Sequence, residues 1–109
     1  MSNTLTYDNE AIICILNAGF TDAAMDAARQ AGACGGTVIH GRGTASPAIE
    51  KSYGITVTPE KEIILIIASC EKRNAIQNAL YQAIGQGTEG HGIVFSLPVD
   101  SVVGIKKKL

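Results

Sequence analysis

Two short apolar runs, residues 11–16 (AIICIL) and 63–67 (IILII), constrain the fold of this chain more than any other feature. Both are continuous and rich in β-branched residues, a pattern typical of central strands that are buried on at least one face. The runs begin 52 residues apart, at Ala11 and Ile63. This offset indicates that one structural unit occurs twice along the chain.

Each run is followed by a helical pattern and then by a second strand pattern. A first helix is predicted over 21–31, where Thr21 and Asp22 suit a capped N-terminus and Gly32 stops the helix. A second helix ends at Gly85. The apolar stripe of this second helix consists of Ala75, Ile76, Ala79, Leu80, Ala83 and Ile84. A strand is predicted after the first helix over 36–40 (GTVIH) and after the second over 93–97 (IVFSL).

The repeated strand–helix–strand order predicts an α+β, ferredoxin-like βαββαβ domain over residues 1–109. In that arrangement four antiparallel strands carry both helices on one face. Residues 102–105 predict a short additional C-terminal strand. Because the two central runs are apolar at alternating positions on both faces, we expect a second copy of the chain to cover the face without helices.

Composition restricts the functions open to this domain. Apolar residues make up 46% and the net charge is −1, so no basic surface field favours nucleic acid. The polar N-terminus and the lack of a run of roughly 20 apolar residues predict a cytoplasmic protein. The three cysteines, Cys14, Cys34 and Cys70, have no Cys-x-x-Cys spacing and are expected to be reduced and mostly buried.

A long segment, residues 44–59, separates the two halves and contains Pro47, Gly54 and Pro59. Loops of this length in a small domain are usually functional, although a merely tolerated insertion is the alternative.

No catalytic or metal-binding pattern is evident. Neither His40 nor His91 has a cysteine or carboxylate at metal-ligand spacing. An acylphosphatase, which shares this fold plan, needs an arginine after the first strand, and residues 17–20 (NAGF) contain none. The sequence therefore predicts a protein that is not an enzyme and has no metal or resident cofactor.

Residues 87–100 (GTEGHGIVFSLPVD) resemble the glycine-rich B-loop and following strand of the P-II signalling family. In the first half, Gly32, the run Gly36-Thr37-Val38 and the run Gly41-Arg42-Gly43 resemble the end of that family's first helix, its second strand and the root of its T-loop. The order of elements is preserved over most of the chain.

This resemblance implies a homotrimer that binds an adenine nucleotide in clefts between subunits and relays the ligand state to a partner, such as a membrane transporter or a metabolic enzyme. Residues 44–59 correspond to the T-loop. The ligand-binding residues carried over are Thr37, Gly41, Arg42, Gly43 and Thr44 at the T-loop root, Gly87, Thr88, Glu89, Gly90, His91 and Gly92 in the B-loop, and Lys106 near the C-terminus.

The residues themselves leave alternatives open. The glycine-rich segment suits a phosphate cradle, because glycine lets backbone amides converge on an anion, but it also suits a helix C-cap followed by a turn. Thr37 could read the edge of an adenine or be an ordinary strand residue. Arg42 could reach a phosphate or be a solvated surface arginine, and residues 106–108 could be a solubilising tail.

Three strong polyphosphate contacts of the family are changed in this chain. Thr88 replaces a lysine, and Gly104 and Lys106 replace two arginines. In addition, His91 replaces an acidic residue of the loop. A charged hydrogen bond contributes about 1.5–3 kcal/mol, so ADP or AMP is favoured over ATP. The surroundings of Tyr53 do not reproduce the family's uridylylation motif. These departures indicate the broader P-II-like group; a structural trimer resembling the cation-tolerance proteins is the alternative.

Overall fold

The structure, a computed structural model, describes residues 8–44 and 60–104. All four strands lie in one antiparallel sheet with the order β2-β3-β1-β4. The predicted ferredoxin-like βαββαβ fold is therefore confirmed. Its elements are β1 (Asn9–Asn17), α1 (Thr21–Gln30), β2 (Thr37–Arg42), β3 (Glu60–Ser69), α2 (Cys70–Ile84) and β4 (Ile93–Val99).

The structure differs from the sequence predictions at two ends of elements. The N-cap of α1 is Phe20, and no side chain caps this helix, so the predicted cap by Thr21 is wrong. Asp22 does lie in the first turn, where its charge complements the helix dipole. Residues 101–104 form no strand, so the predicted C-terminal strand is absent from the described part of 102–105.

One face of the sheet is covered by the two helices. Alternate side chains of the central strands point to this face, including Ile12 and Leu16 of β1 and Ile64 and Ile66 of β3, all 0% exposed. Ala28 of α1 is fully buried in the same core. The helical residues that complete the core are Ala24, Met25, Ile76, Leu80 and Ile84.

The opposite face of the sheet carries apolar side chains that no element within residues 8–44 and 60–104 covers. The strand register aligns Phe95, Ile13 and Leu65 in one row across three strands. A second row aligns Ile93, Ile15, Ile63 and Ile39 across all four strands. Ile39, Ile93 and Leu97 are about half exposed. This apolar face is here called the open face, and its cover by a second copy of the chain stays a prediction.

The cysteines are less uniformly buried than expected. Cys14 is fully buried in β1, and burial raises the pKa of its thiol to about 11. Cys70 is half-buried and Cys34 is exposed. No helix within residues 8–44 and 60–104 is long and apolar enough to cross a membrane.

Candidate ligand-binding site

The T-loop-like root and the glycine-rich loop lie at the same end of the sheet. The register places Asn17, the last residue of β1, opposite Lys61 of β3, which in turn lies opposite Gly41 of β2. The backbone amide of Asn17 donates to the Gly90 carbonyl at 2.8 Å. Gly41 therefore lies two strand spacings, about 10 Å, from β1. β1 is the strand that contacts residues 87–92, here called the glycine loop.

A surface cavity of about 540 Å³ opens beside the loop root. The residues that line it are the basic His40, Arg42 and Lys61, the acidic Glu60, and Ala18 and Gly41. Arg42 is exposed at the end of β2 and Lys61 is half-buried. The cavity therefore has the charge to attract a small anion, and its lining includes Arg42, whose contact with a phosphate stays a prediction.

Asn17 joins the two parts of this site through its side chain. Its amide nitrogen donates to the Glu89 carbonyl at 3.0 Å, and its amide oxygen accepts a hydrogen bond from the Lys61 ammonium at 2.6 Å. One carboxamide therefore contacts both the glycine loop and a basic side chain of the cavity. Sequence reasoning did not identify Asn17 or Lys61.

The sequence analysis also did not identify Glu62, which links β3 to the turn before α1 through a hydrogen bond. Its carboxylate accepts a hydrogen bond from the Gly19 amide at 2.8 Å and lies 3.8 Å from Nδ1 of His40. The Gly19 amide is the main cause that lowers the pKa of this carboxyl, assisted by the Thr21 hydroxyl and by His40. The pairing of His40 with Glu62 across β2 and β3 could only be known once the register was known.

The glycine loop is partly occupied by its own hydrogen bonds. The Thr88 amide and hydroxyl both donate to the Gly85 carbonyl, at 3.2 and 2.8 Å, so this side chain closes the end of α2. The amides of His91 and Gly92 donate to the carbonyls of Thr88 and Ile84. Among the described residues, the amides of Gly87, Glu89 and Gly90 donate to no carbonyl. The loop is therefore a helix C-cap; Gly87 and Glu89 are exposed in it, whereas Gly90 is buried.

Two glycines of the loop are required by close packing against the end of α2. A Cβ atom on Gly90 would lie 2.9 Å from Cβ of Ile84, and one on Gly92 would lie 2.6 Å from the Ile84 carbonyl oxygen. Gly87 is in open space but has φ +91°, a conformation that favours glycine. The glycine pattern thus has structural causes independent of any ligand.

The other predicted site residues are placed less closely together. Thr37 lies on the open face opposite Leu65, four residues or about 13 Å along β2 from Gly41. Gly43 and Thr44 follow β2 directly, and the side chains of Glu89 and His91 are exposed. Residues 45–59 and Lys106 lie outside the described residues. Within one subunit, therefore, Thr37 does not join the residues around the cavity.

A second cavity, of about 590 Å³, follows the edge strand β4 on the side of α2. Four of its nine lining residues are asparagines or glutamines, and Gly92 is the one predicted site residue in its lining. Arg73, at one end, lies 3.3 Å from the Glu10 carboxylate. The complete lining is Arg73, Asn74, Gln77, Asn78, Tyr81, Gln86, Gly92, Ile93 and Val94. No three His, Cys, Asp or Glu side chains in the described part of the chain meet as a metal site.

Solved structures similar to this chain are PII proteins. Arabidopsis thaliana PII bound to citrate matches with a TM-score of 0.71 and 18% identity, over 95% of this chain and 86% of that chain. The B. subtilis GlnK–ATP complex matches with a TM-score of 0.63 and 14% identity, over 89% of this chain and 86% of that chain. No protein-family model and no curated protein matches the sequence. The chain therefore has the PII-type ferredoxin-like fold.

Proposed function

We propose that this protein is a PII-like signal-transduction protein, not an enzyme, that binds a small anionic effector and relays its presence to another protein. The observation that carries the proposal is that a glycine loop and a cavity lined by basic residues lie at the same end of the sheet. The structural similarity to proteins described as bound to ATP and to citrate supports an anionic effector.

The proposed effector is an adenine nucleotide, with ADP or AMP preferred to ATP. The backbone amides of Gly87 and Glu89 lie at exposed positions and donate to no carbonyl within residues 8–44 and 60–104, so they are available to a phosphate group. Arg42 and Lys61 add positive charge beside the loop root. Thr88 cannot replace the family's lysine as a phosphate contact while its hydroxyl bonds to Gly85. A third phosphate would therefore find few charged partners.

We further propose that the site is completed by a second copy of the chain, in a homotrimer. The open face exposes apolar residues that another copy could bury. In this arrangement Thr37 of one copy faces the glycine loop of the next. The relay to a transporter or metabolic enzyme is assigned to residues 44–59, and neither nucleic acid nor membrane insertion is involved.

A structural trimer that binds no nucleotide is the second candidate. It is favoured by one specific observation: Gly90 and Gly92 are required by their close approach to Ile84, so the loop needs no ligand to explain its glycines.

A thermal-shift screen with ATP, ADP, AMP and cyclic nucleotides, followed by calorimetry, separates the two candidates. A ligand at 100 times its dissociation constant stabilises the fold by about 2.7 kcal/mol. We expect ADP or AMP to give the largest shift and Arg42→Ala to weaken binding about tenfold or more. The matched control is Arg29→Ala, since Arg29 is exposed on α1 and pairs only weakly with Asp26 at 3.9 Å. No response to any nucleotide would favour the structural trimer.

A further inference from the structure

Asn17 is the side chain that contacts both parts of the candidate site. The register sets it opposite Lys61, and the 2.6 Å hydrogen bond between them crosses the two central strands. On its other side, Asn17 binds the carbonyls of Glu89 and Gly90 through its side-chain and backbone nitrogens, at 3.0 and 2.8 Å. Lys61 itself makes no hydrogen bond to the glycine loop among the described residues.

We propose that Asn17 is a positioning residue that couples the Lys61 cavity to the glycine loop, so that occupation of one changes the order of the other. This inference rests on the proposed function and adds the route by which an anion near Lys61 affects the loop. The route is a chain of three groups: the Lys61 ammonium, the Asn17 carboxamide and the Glu89 carbonyl.

The direction of the coupling follows from the hydrogen-bonding capacity of the groups. An ammonium has three donors, so Lys61 can bind an anion in the cavity while one donor remains on Asn17. An anion that fixes the ammonium therefore fixes the carboxamide oxygen. A carboxamide is planar, so its nitrogen is then fixed against the Glu89 carbonyl. Anion binding should accordingly order the loop, and by linkage an ordered loop should favour the anion.

Backbone hydrogen exchange of the ligand-free protein tests this coupling without any nucleotide. Lys61→Met retains the aliphatic stem but loses the bond to Asn17. We expect the amides of His91 and Gly92 to exchange about threefold to tenfold faster, the effect of losing one ordinary hydrogen bond. Amides at the centre of the sheet, such as those of Ile13 and Leu65, should be unchanged. The control is Lys72→Met, a half-buried lysine on α2 beside Gly32.

Two variants of Asn17 show whether the effect passes through this side chain. Asn17→Asp retains an acceptor for Lys61 but loses the donor to Glu89, so the loop should loosen even though the contact with Lys61 persists. Adding Lys61→Met to Asn17→Ala should cause no further change, because the effects of two residues in one chain of contacts are not additive.

The outcomes separate this inference from the proposed function. Unchanged loop exchange in Lys61→Met overturns the coupling, even if calorimetry shows that the wild-type protein binds ADP. Faster exchange restricted to the loop supports the coupling, even if ADP fails to bind. Additive effects in the double variant would also overturn it, since Asn17 and Lys61 would then act separately on the loop.

Discussion

The two faces of the sheet have similar apolar side chains but different surroundings. On the covered face, Ile12, Leu16 and Ile66 are 0% exposed beneath two helices. On the open face, Ile93 and Leu97 are each 51% exposed. The same β-branched composition therefore has two physical roles. The covered face stabilises the fold of one chain, whereas the open face has apolar area available for assembly.

This difference predicts that substitutions on the two faces will affect different properties. Truncation on the covered face should lower the free energy of unfolding, because a cavity remains where the side chain was. A charge on the open face should instead disrupt association between copies, because it would have to be buried without a partner. The predictions below test this separation in order of decreasing effect.

The largest expected effect is on the covered face. Ile66→Ala should lower the free energy of unfolding by about 2–5 kcal/mol, since this side chain is fully buried between the sheet and the helices. Denaturant titration followed by circular dichroism measures the change. A loss smaller than about 1 kcal/mol would contradict the assignment of this face to the core.

A charge on the open face should disrupt assembly. Ile13 lies at the centre of this face, between Leu65 and Phe95, so Ile13→Lys should give a monomer in sedimentation velocity. Ala75→Lys is the matched control, because it adds the same charge at an exposed position of α2 and should keep the wild-type sedimentation coefficient. An unchanged oligomer in Ile13→Lys would show that the open face is not the interface.

Two glycines, Gly36 just before β2 and Gly41 within it, allow the packing of the two faces to be compared by adding a single methyl group. A Cβ on Gly36 would lie 3.1 Å from Ile66 and 3.2 Å from the Met25 sulfur, whereas one on Gly41 would lie 3.6 Å from Ile63. Gly36→Ala should therefore cost about 1–3 kcal/mol, the usual range for overpacking, and Gly41→Ala should leave the unfolding free energy nearly unchanged. Equal losses in the two variants would contradict the difference in packing.

The smallest expected effect concerns the charge of Glu62 at the edge of the covered face. Its pKa is lowered in the fold, chiefly by the Gly19 amide, so its charge stabilises the native state above the unfolded-state pKa of about 4.3. That contribution is lost as the pH falls through the lower folded-state pKa. Glu62→Gln should thus be less stable than wild type at pH 7, with a difference that disappears at acidic pH. A difference independent of pH would exclude the charge as its cause.

The fold could be predicted from the sequence because its signals are local and repeated. The runs at 11–16 and 63–67, each followed by a helical stripe and a second strand, define the βαββαβ order without knowledge of any contact. The residues at which helices begin and end were harder to predict from the sequence. Thr21 precedes an acidic residue in a typical capping pattern, yet the N-cap is Phe20 and no side chain caps the helix.

The candidate site was only partly predictable for a related reason. Glycines at 87, 90 and 92 and the arginine at 42 carry recognisable signals along the chain. Asn17, Lys61 and Glu62 acquire their positions only from the pairing of β1 with β3, and a one-residue shift of that register would turn each side chain to the other face. The signal that could have indicated Asn17 is a polar residue at the end of a strand that the fold places beside the glycine loop.

The central claim is that the effector site requires two copies of the chain, joined through the open face. The most direct measurement is calorimetric titration of ADP into wild-type protein, Ile13→Lys and Ala75→Lys, with the oligomeric state of each measured in the same buffer. The account predicts that wild type and Ala75→Lys bind ADP, while the folded, monomeric Ile13→Lys binds at least tenfold more weakly. Equal affinity of the monomer, or no binding of ADP by the wild-type oligomer, would contradict it.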